Sequence, residues 1–484
     1  MYSVKKNTIF NFLLSFSNML FPLLTMPYIS RVLAISDIGL LNKGTAFYAL
    51  FVNIASFGLA GYGAREIARN KNDNEKLNSI FSSVLFCHIG IVAICAIAYF
   101  CYILFVFLDS TEQLIHIEYI LLFLITPLSV EWFYTGREDF RYIALRSLAV
   151  KTILLILVFV LIHDASDFML YASIFIAAQG INFLYNIFHA HKFVHFSFKD
   201  LQIKKTFLSS KFFYMQTVVA ICYQNINQLI LSRNEVQLAL FVRATAFTTL
   251  VSALIAPITT AVKPRLEFVF SCDKSQYENY IRNCFDCVLS VLFPVIFGMI
   301  ALSENITLIF GGEQFIKGSI VLAVCCVGAF STQIASFLNN IISTPVGFEK
   351  NTFWSNSTVA CVAIIANPIL VWKLGALGAA FALLIAETCG VIVHLILVRR
   401  HSLYTGWFSL KKSKYLFSSF LMFASVVFVK HFVGNIYLQC AVCIPVGALI
   451  YGSLVMIFTK SFRDENPYIL QTLFIRMRQE KLIK

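Results

Sequence analysis

Apolar runs of eighteen residues or more recur along the whole of this chain, separated by mostly short polar connections. As a helix, each run is long enough to cross the ~30 Å hydrocarbon layer of a bilayer. Lipid offers no partner for a backbone N–H or C=O, so such runs must satisfy their hydrogen bonds within themselves. The chain is therefore expected to be an all-α polytopic membrane protein. Composition agrees: of 484 residues 59% are hydrophobic and only 13% charged, about half the charged share of a soluble domain. No polar stretch is long enough for a separate soluble domain.

Fourteen spans are predicted, roughly at 8–30, 39–63, 79–108, 114–135, 147–163, 168–189, 212–232, 238–262, 283–310, 319–345, 353–372, 379–398, 415–432 and 436–459. The first, with Asn11, Asn18 and two prolines, is too long for a signal-peptide core and is read as a retained span. Placing the N-terminus in the cytoplasm puts 30 of the 38 Lys and Arg on the inner side and four in outer connections. That asymmetry predicts cytoplasmic termini on both ends. It also accounts for the net charge of +13 through topology and lipid headgroups, without nucleic acid. Outer connections of at most eight residues (31–38 and 311–318) leave no room for an external catalytic domain, so an enzyme is not expected.

The chain repeats itself. Ser30-Arg31 precedes Lys43-Gly-Thr-Ala-Phe47, and Ser232-Arg233 precedes Arg243-Ala-Thr-Ala-Phe247. Arg65-Glu66 pairs with Arg265-Leu-Glu267, Gly136-Arg-Glu138 with Gly347-Phe-Glu349, and Gln179-Gly180 with Cys389-Gly390, at offsets drifting from 200 to 211. Two pseudo-symmetric six-helix lobes follow. The N-lobe is 1–188, a basic cytoplasmic linker is 189–211, and the C-lobe is 212–400; two extra helices and a basic tail occupy 401–484. A six-span repeat inserts both copies with one orientation, the plan of many transporters with a cavity between halves.

Cations near or inside apolar helices are expensive. Arg31, Lys43, Arg233 and Arg243 are thus candidates for binding an anion, against the alternative that they reach headgroups. Residues at helical spacing form three polar stripes: Asn11, Ser15, Asn18, Pro22 and Thr25; Gln216, Tyr223 and Asn227 with Gln224 and Gln228 beside them; and Thr332, Ser336, Asn339 and Ser343. They fit either helix–helix hydrogen bonds or a wetted lumen, and their recurrence on repeat-related spans favours the lumen. Glu131, Asp286 and Glu387 fall within spans and are candidates for proton or sodium coupling, or partners for a neighbouring cation. Arg65, Glu66, Arg137 and Glu138 crowd two inner connections and are candidates for a cytoplasmic gate.

Other motifs carry little. Cys284-Phe-Asp-Cys287 stands alone in an apolar helix, and His189, His191 and His195 lie in a basic connection, so no metal site is expected. No Gly-Lys dipeptide exists to form a nucleotide phosphate loop, and no cofactor is expected.

The stretches PYISRVL (27–33), YGAREIARN (62–70), EWFYTGREDFRYIALR (131–146) and KLGALGAAFALLIAE (373–387) resemble the polysaccharide transport family. These are the O-antigen and capsule repeat-unit flippases of the multidrug/oligosaccharidyl-lipid/polysaccharide (MOP) superfamily, and the resemblance spans most of 8–400. It implies a MATE-like two-lobe bundle of twelve to fourteen helices in the bacterial inner membrane. It implies transport of an undecaprenyl-pyrophosphate-linked oligosaccharide to the periplasmic leaflet, beside the polymerase and chain-length proteins of one pathway. Guanidinium groups suit a pyrophosphate, since they bond its oxygens bidentately. Alternatives are a cation-coupled multidrug exporter, which a cationic cavity disfavours, and a membrane polymerase or ligase of the same lipid-linked glycan, which short outer loops disfavour.

Overall fold

The computed structural model describes residues 4–71, 73–106, 110–197, 201–272, 274–400 and 412–461. Among these there are sixteen α-helices and no strand. In chain order they are α1 (Val4–Val32), α2 (Ile35–Ser56), α3 (Leu59–Arg69), α4 (Asn74–Val106), α5 (Ser110–Ile125), α6 (Glu131–Arg137), α7 (Phe140–Leu161) and α8 (Phe168–Ala190). There follow α9 (Ile203–Leu231), α10 (Glu235–Cys272), α11 (Lys274–Ala301), α12 (Ser303–Gly311), α13 (Gly318–Phe337), α14 (Glu349–Arg400), α15 (Ser413–Phe432) and α16 (Ile436–Ser461).

Eleven stretches of the described residues are helical, long and apolar enough to cross a membrane. One of them, α14, has 52 residues. It would measure about 78 Å, more than twice the hydrocarbon thickness. It breaks at Gly375, where φ is 57° and ψ −130°, so it supplies two crossings, at the junction predicted between spans eleven and twelve. At 29 residues each, α1 and α9 have crossing length as well. Large apolar side chains face outward along these helices: Ile94, Phe105, Trp372, Phe428 and Leu449 are each more than two-thirds exposed. Water would penalise such a surface, and acyl chains accommodate it.

Two predicted continuous spans are broken. The second becomes α2 and α3, split at Phe57 (φ 41°) and Gly58 (φ 70°). The fourth becomes α5, a 3₁₀ turn at 126–129, and α6, split at Val130 (φ 35°). The left-handed region is costly for a β-branched or bulky side chain. Burial holds both in place: Val130 is fully buried, and Phe57 stacks on Phe207 and Tyr214 at 4.4 and 4.3 Å between ring centroids. The breaks leave α3 and α6 as short helices that pack on one another. A Cβ on Gly63 would lie 2.6 Å from the Trp132 ring, and one on Gly136 would lie 2.6 Å from the Ala64 carbonyl oxygen. Only glycine permits that approach. The predicted tenth span likewise ends in a wide π-helical turn at 338–343 after α13.

The chain divides into two compact units. One comprises residues 1–242, 310–314 and 363–379; the other comprises 243–309, 315–362 and 380–484. In the first unit, one core gathers Leu59, Tyr62, Ile67, Phe81, Trp132, Phe133 and Tyr134 under the α3–α6 crossing. A second core centres on Phe47, Tyr99, Ile120 and Phe123 of α2, α4 and α5, and α9 packs against α2, α3 and α4. In the second unit, α11 packs with α15 and α16 around Ala301, Leu302, Met422, Val426 and Cys443.

A buried lysine between two carboxylates as the candidate functional site

Backbone proximity sets the site in the first unit. A Cβ on Gly39 would collide with the backbone of Glu235, so glycine lets α2 and the start of α10 touch. One turn along α2 from Gly39 stands Lys43. Its ammonium lies 2.5 Å from Glu112 Oε1 and 3.4 Å from Glu235 Oε1. Both acids occupy the first turn of their helices, α5 and α10, where the helix dipole favours negative charge. Side-chain exposure is 12% for Lys43 and 14% for Glu112 but 36% for Glu235, so the cluster is shielded on the Glu112 side and open to solvent at Glu235. Behind it the buried His116 accepts or donates at 2.9 Å with the Tyr99 hydroxyl, and its other ring nitrogen is 3.9 Å from Glu112. Tyr119, packed against Gly44, shares a 2.7 Å hydrogen bond with Thr45.

A cavity of about 630 Å³ opens beside Lys43, lined by Phe47, Leu50, Phe51, Tyr102, Glu112, Leu229, Ser232 and Arg233. It combines two cations, one carboxylate, three aromatic rings and aliphatic walls. Such a lining can neutralise a compact anion while its rings stack on sugar or apolar faces.

The four predicted cations therefore divide. Lys43 and Arg233 share this cavity. Arg31 lines another, of about 460 Å³, with Ala34, Ala165 and Gln314. Its guanidinium donates to the Pro27 carbonyl at 2.5 Å, closing the last turn of α1. Gln314 clamps the turn after α1, donating to the Ser30 and Leu33 carbonyls and accepting from Ile35 N–H at 3.0 Å. Arg243 belongs to the second unit, where it is 8% exposed with its guanidinium 4.8 Å from the Phe315 ring centroid, a cation–π arrangement.

Among the described side chains, most of the polar-stripe residues are bonded within the protein. Asn18 accepts from the Lys151 ammonium on α7, and Thr25 donates to the Phe21 carbonyl at 3.1 Å. Ser336 accepts from Asn340, while Asn339 accepts from Thr352 at 2.6 Å. Asn227 is buried, with its amide oxygen unbonded. The side chains of Asn11, Gln216 and Gln224 lie outside the described residues.

Of the intramembrane acids, Glu131 meets Arg146 at 2.8 Å and Asp286 meets Lys412 at 3.1 Å. Glu387 is 7% exposed, within hydrogen-bond reach of Thr332, and among the described residues no cation pairs with it. At the predicted gate, Glu66 pairs with Arg65 at 3.2 Å and with Arg69 at 3.6 Å on α3 itself. Glu138 pairs with Lys71 at 3.1 Å, bridging two successive connections, and the Arg137 guanidinium sits 4.1 Å from the Phe193 ring. Glu112 and Glu235, central to the cluster, were not singled out from sequence. Their one signal is an acid in the first turn after a short polar connection.

This succession of long apolar spans and broken helices, with a cavity lined by Lys43, Glu112 and Arg233, defines a polytopic helical membrane bundle. The chain is similar in fold to the lipid II flippase MurJ in its inward closed conformation, with a TM-score of 0.76 and 17% identity, covering 94% of this chain and 99% of that one. It is also similar to a MATE-family multidrug transporter of the MOP superfamily in an outward-facing conformation, with a TM-score of 0.53 and 14% identity, over 81% and 94%. The fold is thus of the MurJ and MATE type.

Residues 4–267 match the polysaccharide biosynthesis protein family, and the chain belongs to that family. Among its relatives, a protein of Shigella dysenteriae named "Putative O-antigen transporter" is 24% identical, over 82% of this chain and 100% of the relative. A protein of the same name from Escherichia coli strain K12 is 22% identical, over 83% and 98%.

Proposed function

We propose that this protein flips an undecaprenyl-pyrophosphate-linked oligosaccharide, an O-antigen or capsule repeat unit, from the cytoplasmic to the periplasmic leaflet of a bacterial inner membrane by alternating access. The observation that carries the reading is Lys43, partly buried between Glu112 and Glu235 beside a cavity that also holds Arg233. Its support is the family, relatives named for O-antigen transport, and a fold shared with a flippase of another lipid-linked glycan precursor.

In this reading Glu112 and Glu235 hold the ammonium in place while no substrate is bound. A pyrophosphate, with up to about two negative charges, competes for it and gains the Arg233 guanidinium as a second donor group. Exchange of one anionic partner for another keeps the Lys43 ammonium paired throughout. Phe47, Phe51 and Tyr102 offer faces for the first sugar or the start of the polyprenyl chain. Arg243 supplies the equivalent positive charge in the second repeat. Glu387, buried and without a cationic partner among the described residues, is the residue proposed to carry the coupling proton or sodium ion. The polymerase and chain-length proteins of the pathway would take the exported unit.

The test replaces Lys43 and Arg243 together by Gln in a strain that depends on this chain for surface polysaccharide. Loss of surface polysaccharide at matched membrane protein level is expected. Normal polysaccharide in the double variant would remove both residues from the mechanism and leave them as headgroup anchors.

A further inference from the structure

At the far end of the 110–137 span from Glu112 lies a second kind of cavity. It has a volume of about 540 Å³ and lies between α7 and α8. Its lining changes character along its length. Asp139, Arg141, Tyr142, Tyr185, His189 and Phe193 form a polar and aromatic end, and Leu145, Ala149, Val150 and Ile181 form an apolar one. From Arg141 to Val150 the helix rises about 14 Å, a headgroup and the upper part of an acyl chain. Leu145 and Ile181 are 49% and 58% exposed, so the apolar end is open on the lipid-facing surface.

Arg146 lies partway along this cavity and is 8% exposed. Its Nη2 donates to Glu131 at 2.8 Å and its Nη1 to the Asn186 amide oxygen. Its Nε–H is buried and has no partner in the protein. This guanidinium is held through both terminal nitrogens, and its buried Nε–H is left as a donor that an acceptor from outside the chain can satisfy. At the polar end the His189 ring stacks on Tyr142 at 3.9 Å with an 8° interplanar angle, and Tyr185 also stacks on Tyr142, at 6.1 Å. The nearby acids are engaged: Glu131 pairs with Arg146, and Asp139 caps α7 by accepting from Tyr142 N–H at 3.3 Å. With Arg137 and Arg141 adjoining, the mouth is net positive. Aromatic rings at headgroup depth with cations beside them suit the membrane interface.

We propose that this cavity holds an anionic phospholipid of the surrounding bilayer as a resident ligand. Its phosphate meets Arg146 Nε–H and Arg141, and one acyl chain follows Leu145, Ala149 and Ile181. The assignment is independent of the transported substrate, since it uses none of the residues around Lys43.

The full-length protein is purified in detergent and titrated with dioleoylphosphatidylglycerol or dioleoylphosphatidylcholine, with bound lipid counted by native mass spectrometry. The expected result is one phosphatidylglycerol bound in preference to phosphatidylcholine. Arg141→Gln should weaken phosphatidylglycerol binding about five-fold, the scale of one partly exposed charge contact, and leave phosphatidylcholine unchanged. Ala149→Trp, at an exposed position, should fill the groove and reduce both lipids. Unchanged thermal unfolding of both variants in lipid-free detergent shows that they remain folded. Equal occupancy by the two lipids, or wild-type binding in both variants, would overturn the proposal. Displacement of phosphatidylglycerol by equimolar undecaprenyl phosphate would overturn it too, by giving the cavity to the polyprenyl lipid.

Discussion

Lys43 shows what a buried charge demands of its neighbours. Two acids from different helices converge on it, so the ammonium keeps one carboxylate partner if the other moves. Lys43→Ala would leave Glu112 and Glu235 facing a void with like charge. We expect a loss of about 3 kcal/mol, within the range for removing one partner of a buried pair. The double change Lys43→Ala with Glu112→Ala should recover much of that loss, read as the unfolding midpoint of purified protein. Additive losses would show that the two side chains do not interact. At this scale the sequence revealed the cation of this cluster and not its acids. Lys43 announced itself as a cation inside an apolar run and by its counterpart Arg243. Glu112 and Glu235 sit in connections rich in polar residues, where an acid is ordinary, and nothing in a one-dimensional pattern reports that α5 and α10 start beside α2. Glu131 and Asp286, by contrast, stood out as acids within spans and turn out to have the cationic partners Arg146 and Lys412.

At the scale of elements, the long spans were legible because eighteen or more apolar residues leave few alternatives. Their interruptions were clearest where glycine marks them. Gly375 lies in a gap between two predicted spans, and its positive φ is a conformation that other residues adopt at a cost. The N–H freed after it, on Ala376, donates to Gln237 Oε1 at 2.8 Å, and a Cβ on Gly375 would press on that same oxygen at 2.6 Å. Gly375→Ala should therefore cost about 1–3 kcal/mol from backbone strain, with a further loss from displacing Gln237. Wild-type thermal stability in that variant would contradict the account of the break. The break before α6 is marked in the sequence only by Pro127 in the 3₁₀ turn; the left-handed valine itself is dictated by packing and not by local preference. The α3–α6 contact makes a related prediction. Gly136→Ala brings a methyl to 2.6 Å from the Ala64 carbonyl oxygen, a backbone atom that cannot swing aside, so α3 and α6 must separate. Lower yield of folded protein is expected, by detergent size-exclusion profile, and a wild-type profile would argue that the crossing is loose.

For the molecule as a whole, the internal repeat and the distribution of Lys and Arg were the strongest global signals, since both are sums over many residues and tolerate errors at any one. The charge asymmetry makes a direct prediction. Single cysteines at Asn70 and Lys192, on a cysteine-free background, should resist a membrane-impermeant thiol reagent added outside, and those at Lys317 and Gly434 should react. Labelling at Asn70 from outside would reverse the orientation and with it the direction proposed for transport. The chemistry of the cargo was less legible than the architecture. Residue types indicate an anion with apolar and sugar-like parts, and no single side chain names the sugar. The central claim, that this chain moves a lipid-linked oligosaccharide, is tested most directly by deleting it and locating the lipid-linked repeat units. The account predicts that units are still synthesised, accumulate in the cytoplasmic leaflet out of reach of a periplasmic glycan-modifying probe, and reach that probe again when the chain is restored. Repeat units that remain accessible from the periplasm in the deletion strain, with surface polysaccharide intact, would contradict it.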